Sequence, residues 1–187
     1  MLADPVVVSA LMVAIQARFG GPNILVDNPS VRHVSPLAEM DLTEFRAIQS
    51  ANVGGPCLCA EAALPMMAAS GGGAIVNIGG LTGDTCVRDR LQVSASKAAL
   101  YGMTVGLALK GSSYGATVYM IEPRSIDTLR PGGHRHALGY FGSKKFLDRK
   151  GKPEEILGMV QMVCGPGARN ITAQTIHVNE ELTCRYE

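Results

Sequence analysis

Apolar side chains along this chain follow two alternating rhythms. Val8, Leu11, Met12, Ile15 and Phe19 recur at helical spacing and predict one buried helical face. Asp4 before Pro5 supplies a cap and a first residue whose missing N–H costs nothing, and Gly20-Gly21 stops the helix. Ile24-Leu25-Val26 then reads as a short buried strand. Asp41-Leu42-Thr43-Glu44 has the form of a capping box opening a long helix. Pro56 lies within that helix and cannot donate to the carbonyl of Asn52, so the helix either kinks near Asn52 or ends there and restarts at Cys57. Ala74–Ile78 is the next strand, followed by a loop with Gly79, Gly80 and Gly83 and a helix with Leu100, Met103, Val105 and Leu107 as apolar positions. Ala116–Ile121 and Thr175–Val178 are further strands, with a helix from Pro153 through Val163 between them. The four strands, at 24–26, 74–78, 116–121 and 175–178, are expected to sit centrally in a parallel sheet with helices on both faces. The fold class is α/β, in a single domain over residues 1–187.

Composition narrows the options. The chain is 47% hydrophobic but only 5% aromatic and has no Trp, so the core must be aliphatic and Met-filled. A net charge of +1 gives no electrostatic case for nucleic acid or an anionic membrane as partner. The five cysteines are odd in number and form no C-x-x-C pair, which argues against a disulfide framework or a zinc site and for reduced thiols in a cytoplasm. No secretory signal is expected at the N-terminus, and no apolar run reaches transmembrane length. His134 and His136 form an H-x-H pair without a third ligand at useful spacing, so no metal is expected. Cys57 and Cys59 read as core packing, Met66 and Met67 as core or interface filler, and His177 as a hydrogen-bonded surface residue.

The stretch Gly73–Leu109 carries the chemistry. It reads IVNIGGLTG and then VSASKAAL. It resembles the short-chain dehydrogenase/reductase family, which has I-V-N-I-S-S-x-x-G at a strand end and Y-S-A-S-K-A-A-L on the next helix. Gly80 lies thirteen residues before Val93 and Val93 four before Lys97, the family's Ser-Tyr-Lys spacing. Lys97 is kept, whereas Gly80 holds the Ser position and Val93 the Tyr position. FGGPNILVDNPS resembles the family's F-G…D-I-L-V-N-N-A-G and keeps Asn28. Asn52 matches the family's Asn in the proton relay. Pro123, Ile126 and Thr128 match P-G-x-x-x-T, with Arg124 in place of its Gly. ITAQTIHVN resembles the last strand, with Glu180 and Glu181 replacing the final glycines. Residues 129–150 correspond to the family's variable lid or substrate-loop segment.

The resemblance implies a Rossmann-like sheet and NAD or NADP as cofactor, with Asn28, Lys97, Pro123, Ile126 and Thr128 lining the nicotinamide half-site. Within the 187 residues the first βαβαβ portion of the family pattern, with its Gly-rich phosphate turn, is not found, so binding of either nucleotide is in doubt. In the family, Tyr exchanges the proton, Lys lowers its pKa and holds the ribose, and Ser hydrogen-bonds the reacting oxygen. Val93 cannot transfer a proton and Gly80 has no side-chain donor. Thr82, Thr85, Asp89 and Tyr101 are nearby substitutes, none at the family position. Lys97 and Asn52 are thus the catalytic residues that remain. Two functions follow. One is a non-catalytic subunit that oligomerises with itself or with an intact relative. The other is an NAD(P)-dependent oxidoreductase, of ketone/alcohol or 3-oxoacyl type, whose cofactor-binding half lies outside this sequence. A fragment with no stable fold is a third possibility.

Overall fold

The computed structural model describes residues 3–128, 147 and 149–179. Helix α1 (Pro5–Phe19) starts where Asp4 accepts the Val6 N–H and ends at Gly20, whose φ of 77° is the left-handed cap expected of glycine. Strand β1 (Ile24–Asp27) follows. Helix α2 (Leu42–Gln49) runs through one π-helical turn, Ser50–Gly54, into α3 (Gly55–Ala69). The dihedrals stay right-handed helical across both junctions. Of the two readings for Pro56, the structure takes the disturbed but unbroken helix, with Asn52 inside the π turn.

The remaining strands are β2 (Gly73–Ile78), β3 (Ala116–Pro123) and β4 (Gln174–Val178). Between them lie α4 (Thr82–Thr85), α5 (Leu91–Gly111) and α6 (Pro153–Cys164). All pairings are parallel, in the order β1-β2-β3-β4, with Val26 opposite Val76 and Val76 opposite Tyr119. The strand period of two divides the core. Ile75 and Val118 face α1 and α3, where they meet Val8, Met12, Cys59, Ala63 and Met67. Ala74, Val76, Ile78, Tyr119 and Ile121 face α6 through Val163. Aliphatic side chains and Met therefore fill most of the core, with Tyr119 as a fully buried aromatic that the composition did not lead one to expect.

Several expectations are corrected. The strands are not all central: β1 and β4 are the edges among the described residues. Paired on one side only, β1 leaves Ile24 and Val26 50% and 44% exposed, so it is not a buried strand. Helix α1 buries Val8 and Met12, one turn apart, because it touches α3 along a narrow stripe, while Leu11 and Phe19 remain exposed. Cys59 is core, but Cys57 points to solvent. Val105 is likewise exposed. The capping box is half made: Asp41 accepts the Glu44 N–H, but the Glu44 carboxylate is turned to His33 and Gln92. The lid segment 129–150 lies mostly outside the described residues, as do His134, His136, Glu180 and Glu181.

Candidate functional site

The C-terminal ends of β1, β2 and β3 open into a cleft of about 850 Å³. Its lining includes Asn28 after β1, Gly80 and Thr82 after β2, and Val93 and Lys97 on α5. Pro123, Ile126 and Thr128 after β3 complete that wall, and Ile156 and Val160 of α6 close the far side. The structure thus brings together every residue matched to the family's catalytic and nicotinamide positions except Asn52. A parallel sheet makes this arrangement: successive crossovers return every strand in the same direction, so all strand ends carry loops to one edge.

Lys97 is 3% exposed, yet its stem reaches the cleft. Its Nζ donates to the carbonyl of Ile78 at 3.1 Å and to that of Pro29 at 3.4 Å. Burial pushes the amine down to about 8, the Arg32 guanidinium adds to the fall, and Glu122 opposes it. Val93, 3% exposed, stands one turn before Lys97 on α5. Gly80 leaves room for a Cβ beside the lysine, which would rest in ordinary contact with Lys97 Cε at 3.8 Å. Gly83 is different in kind. A Cβ there would come within 2.8 Å of the Ala98 nitrogen, so only glycine lets α4 lie against α5 beside Lys97.

Asn52 is wholly buried and holds a wall of the cleft. Its Oδ1 accepts the Val31 N–H at 2.8 Å, and its Nδ2 donates to the Val31 carbonyl and to Ser96 Oγ, each at 3.0 Å. It clamps the segment after β1 to α5, a role its place in the relay motif does not state. Gln92, also fully buried, escaped sequence reasoning: its Nε2 donates to Glu44 Oε1 and to the His33 carbonyl. Its signal was faint, a lone amide in the first turn of an apolar helix. Asn77 ties β2 to α5 through Thr104 Oγ1 at 2.9 Å.

Of the substitute hydroxyls, Thr82 alone lines the cleft. Thr85 is spent on the Leu81 carbonyl, while Asp89 and Tyr101 are exposed. His177 is the exposed, paired residue expected, and its partner is buried: its Nδ1 lies 2.9 Å from Oε2 of Glu122, which is 1% exposed. Asp84 joins these two, with ligand atoms of all three within 4.8 Å, at the ends of α4, β3 and β4. His177 gives the buried Glu122 carboxylate a partner.

Comparison with known proteins agrees with this geometry. The family model described as enoyl-(acyl carrier protein) reductase matches residues 2–182. A protein of Bradyrhizobium diazoefficiens named "probable short-chain type dehydrogenase/reductase" is 31% identical over 187 residues, covering 95% of this chain and 66% of its own length. The 3-oxoacyl-[acyl-carrier-protein] reductase of Vibrio cholerae is 29% identical, covering 95% and 73%. The crystal structure of acetoin dehydrogenase from Salmonella typhimurium superposes with a TM-score of 0.82 at 29% identity, covering 95% of this chain and 71% of that one. The chain thus spans roughly two thirds to three quarters of the length of these relatives, 66% to 73%. A family model over nearly the whole chain, the parallel sheet and the in-frame lysine converge: the chain belongs to the short-chain dehydrogenase/reductase family.

Proposed function

We propose that this chain is a dehydrogenase scaffold impaired in proton transfer, serving as a non-catalytic subunit that assembles with itself or with an intact member of its family. The observation that carries this reading is Val93. It is buried beside Lys97 at the wall of the cleft, at the position from which the family's Tyr would act. A valine has no proton to give, and Gly80 has no hydroxyl to polarise a carbonyl. Loss of a general acid alone costs about 10²- to 10⁴-fold in rate.

The cleft still suits the nicotinamide end of NAD(H) or NADP(H), which supplies hydride when bound. Asn28, Lys97, Pro123, Ile126 and Thr128 would hold it, all lining one cavity. Assembly is supported by α5, where Tyr101, Val105 and Leu109 follow at four-residue steps and are 42%, 41% and 81% exposed. Gly102 and Gly106 flank them and leave open space, so the stripe is low and can receive a second helix.

The test is turnover with NADH or NADPH against acetoin and a 3-oxoacyl thioester. Rates below about 0.01 s⁻¹ are expected, and turnover at about 1 s⁻¹ or faster would overturn the reading. Thr82 supports a second reading, an active NAD(P)-dependent oxidoreductase, since its hydroxyl lines the cleft where Gly80 offers none. In that case Thr82→Val abolishes the activity measured.

A further inference from the structure

Lys97 is held by main-chain oxygens. Its two polar contacts among the described residues are backbone carbonyls, of Ile78 and Pro29, and neither is an anion. A neutral amine has two N–H bonds, which match these two acceptors and leave the lone pair as the uncommitted position. The side chain lines a cavity of about 850 Å³, among the apolar side chains of Ile78, Leu81 and Val93. Gly80 places no side chain against its stem, where a Cβ would rest in ordinary contact at 3.8 Å. A desolvated lysine next to another cation is the environment that turns an amine into a nucleophile. Burial is the main cause here, the Arg32 guanidinium adds to it, and Glu122 acts against both.

We propose that Lys97 is an imine-forming lysine, its ε-amine condensing with an aldehyde or ketone admitted to the cleft. The amine lone pair forms a C–N bond to the carbonyl carbon while the C=O π pair moves to oxygen. A proton passes from nitrogen to that oxygen, giving a carbinolamine. The nitrogen pair then expels the oxygen as water, the second N–H proton leaving with it, and a C=N bond remains. Amine plus carbonyl give imine plus water, and nothing is oxidised or reduced. This activity stands apart from the hydride-transfer reading, because no nicotinamide takes part.

With its amine at about 8 against an ordinary 10.5, Lys97 carries about 300-fold more neutral amine at pH 7 than an unperturbed lysine. The experiment incubates the native chain with butanal and sodium cyanoborohydride, then maps the reduced secondary amine by peptide mass spectrometry. Adduct on Lys97 should exceed that on Lys110, Lys150 or Lys152 at least tenfold, with labelling rising through a midpoint near pH 8. Labelling spread evenly over the lysines, or absent from Lys97, would overturn the proposal. Lys97→Arg keeps the charge but cannot condense, so the adduct at residue 97 must vanish with no change in the far-ultraviolet spectrum. If that variant does not fold, the pH profile of the unmutated chain still decides: a midpoint near 10 overturns the assignment.

Discussion

Replacing Asn52 with alanine tests how the cleft is held open. Asn52 makes three side-chain hydrogen bonds from a fully buried position, two to the backbone of Val31 and one to Ser96 Oγ. Each is worth about 1 kcal/mol net, and more where the partner left behind is buried. Val31 is exposed as a residue, so its N–H and C=O can recruit water once released. Ser96 Oγ keeps its own donation to the Val93 carbonyl at 2.7 Å. The sum for Asn52→Ala is therefore about 2–3 kcal/mol rather than the larger figure for stranding three buried groups. Urea unfolding followed by circular dichroism measures it. The segment 28–35 should also become the first site of limited proteolysis, because it would lose the Asn52 clamp and keep the weaker Lys97 and Gln92 contacts to its carbonyls, at 3.4 Å each. Asn52→Asp keeps an acceptor for Val31 but cannot make either donation and buries a charge, so it should cost more than alanine. A loss below about 0.5 kcal/mol for Asn52→Ala, the range of an ordinary surface change, would refute the clamp.

Other outcomes follow from single contacts. Burial holds the Asp27 carboxyl at about 7 against 3.8, so its charged form is penalised only in the fold. Its contribution to stability should fall as pH rises from about 4 to 7 and stay level above; Asp27→Asn should raise the melting temperature at pH 8 and leave it nearly unchanged at pH 4. Tyr119 is fully buried, and its Oη lies 2.9 Å and 2.7 Å from the carbonyls of Ala168 and Ile171. Tyr119→Phe should cost about 1–2 kcal/mol in thermal or urea unfolding, with β4 exchanging amide protons faster. Gly80→Ser should change stability by less than about 0.5 kcal/mol, because a Cβ there meets only ordinary contacts; a large loss would show that the space beside Lys97 is not open. Leu109→Glu should shift sedimentation toward monomer without lowering the melting temperature of the monomer, since that side chain is 81% exposed.

Much of this protein is legible along the chain. Apolar runs and their Gly, Pro and capping boundaries locate all four strands and the helices at 5–19, 91–111 and 153–164, because a strand covered on both faces is apolar nearly throughout and a helix end needs a cap or a stop. The Gly80-Val93-Lys97 spacing is equally local: one turn of helix separates the last two, so reading them as neighbours needs no tertiary knowledge. Tertiary structure alone decided what depends on contacts between distant segments. Periodicity assigns a face to α1 but cannot say that only Val8 and Met12 meet α3, since that depends on how the two helices cross. A strand's apolar run does not reveal how many neighbours it has, so the exposure of Ile24 and Val26 came from the sheet order. The π turn at Ser50–Gly54, one of two readings the proline left open, was settled by the packing of α2 and α3 on α5. Asn52 and Gln92 look like isolated amides until folding brings Val31, His33 and Glu44 from 21, 59 and 48 residues away. A buried amide must find partners, and no local pattern states which distant backbone will supply them.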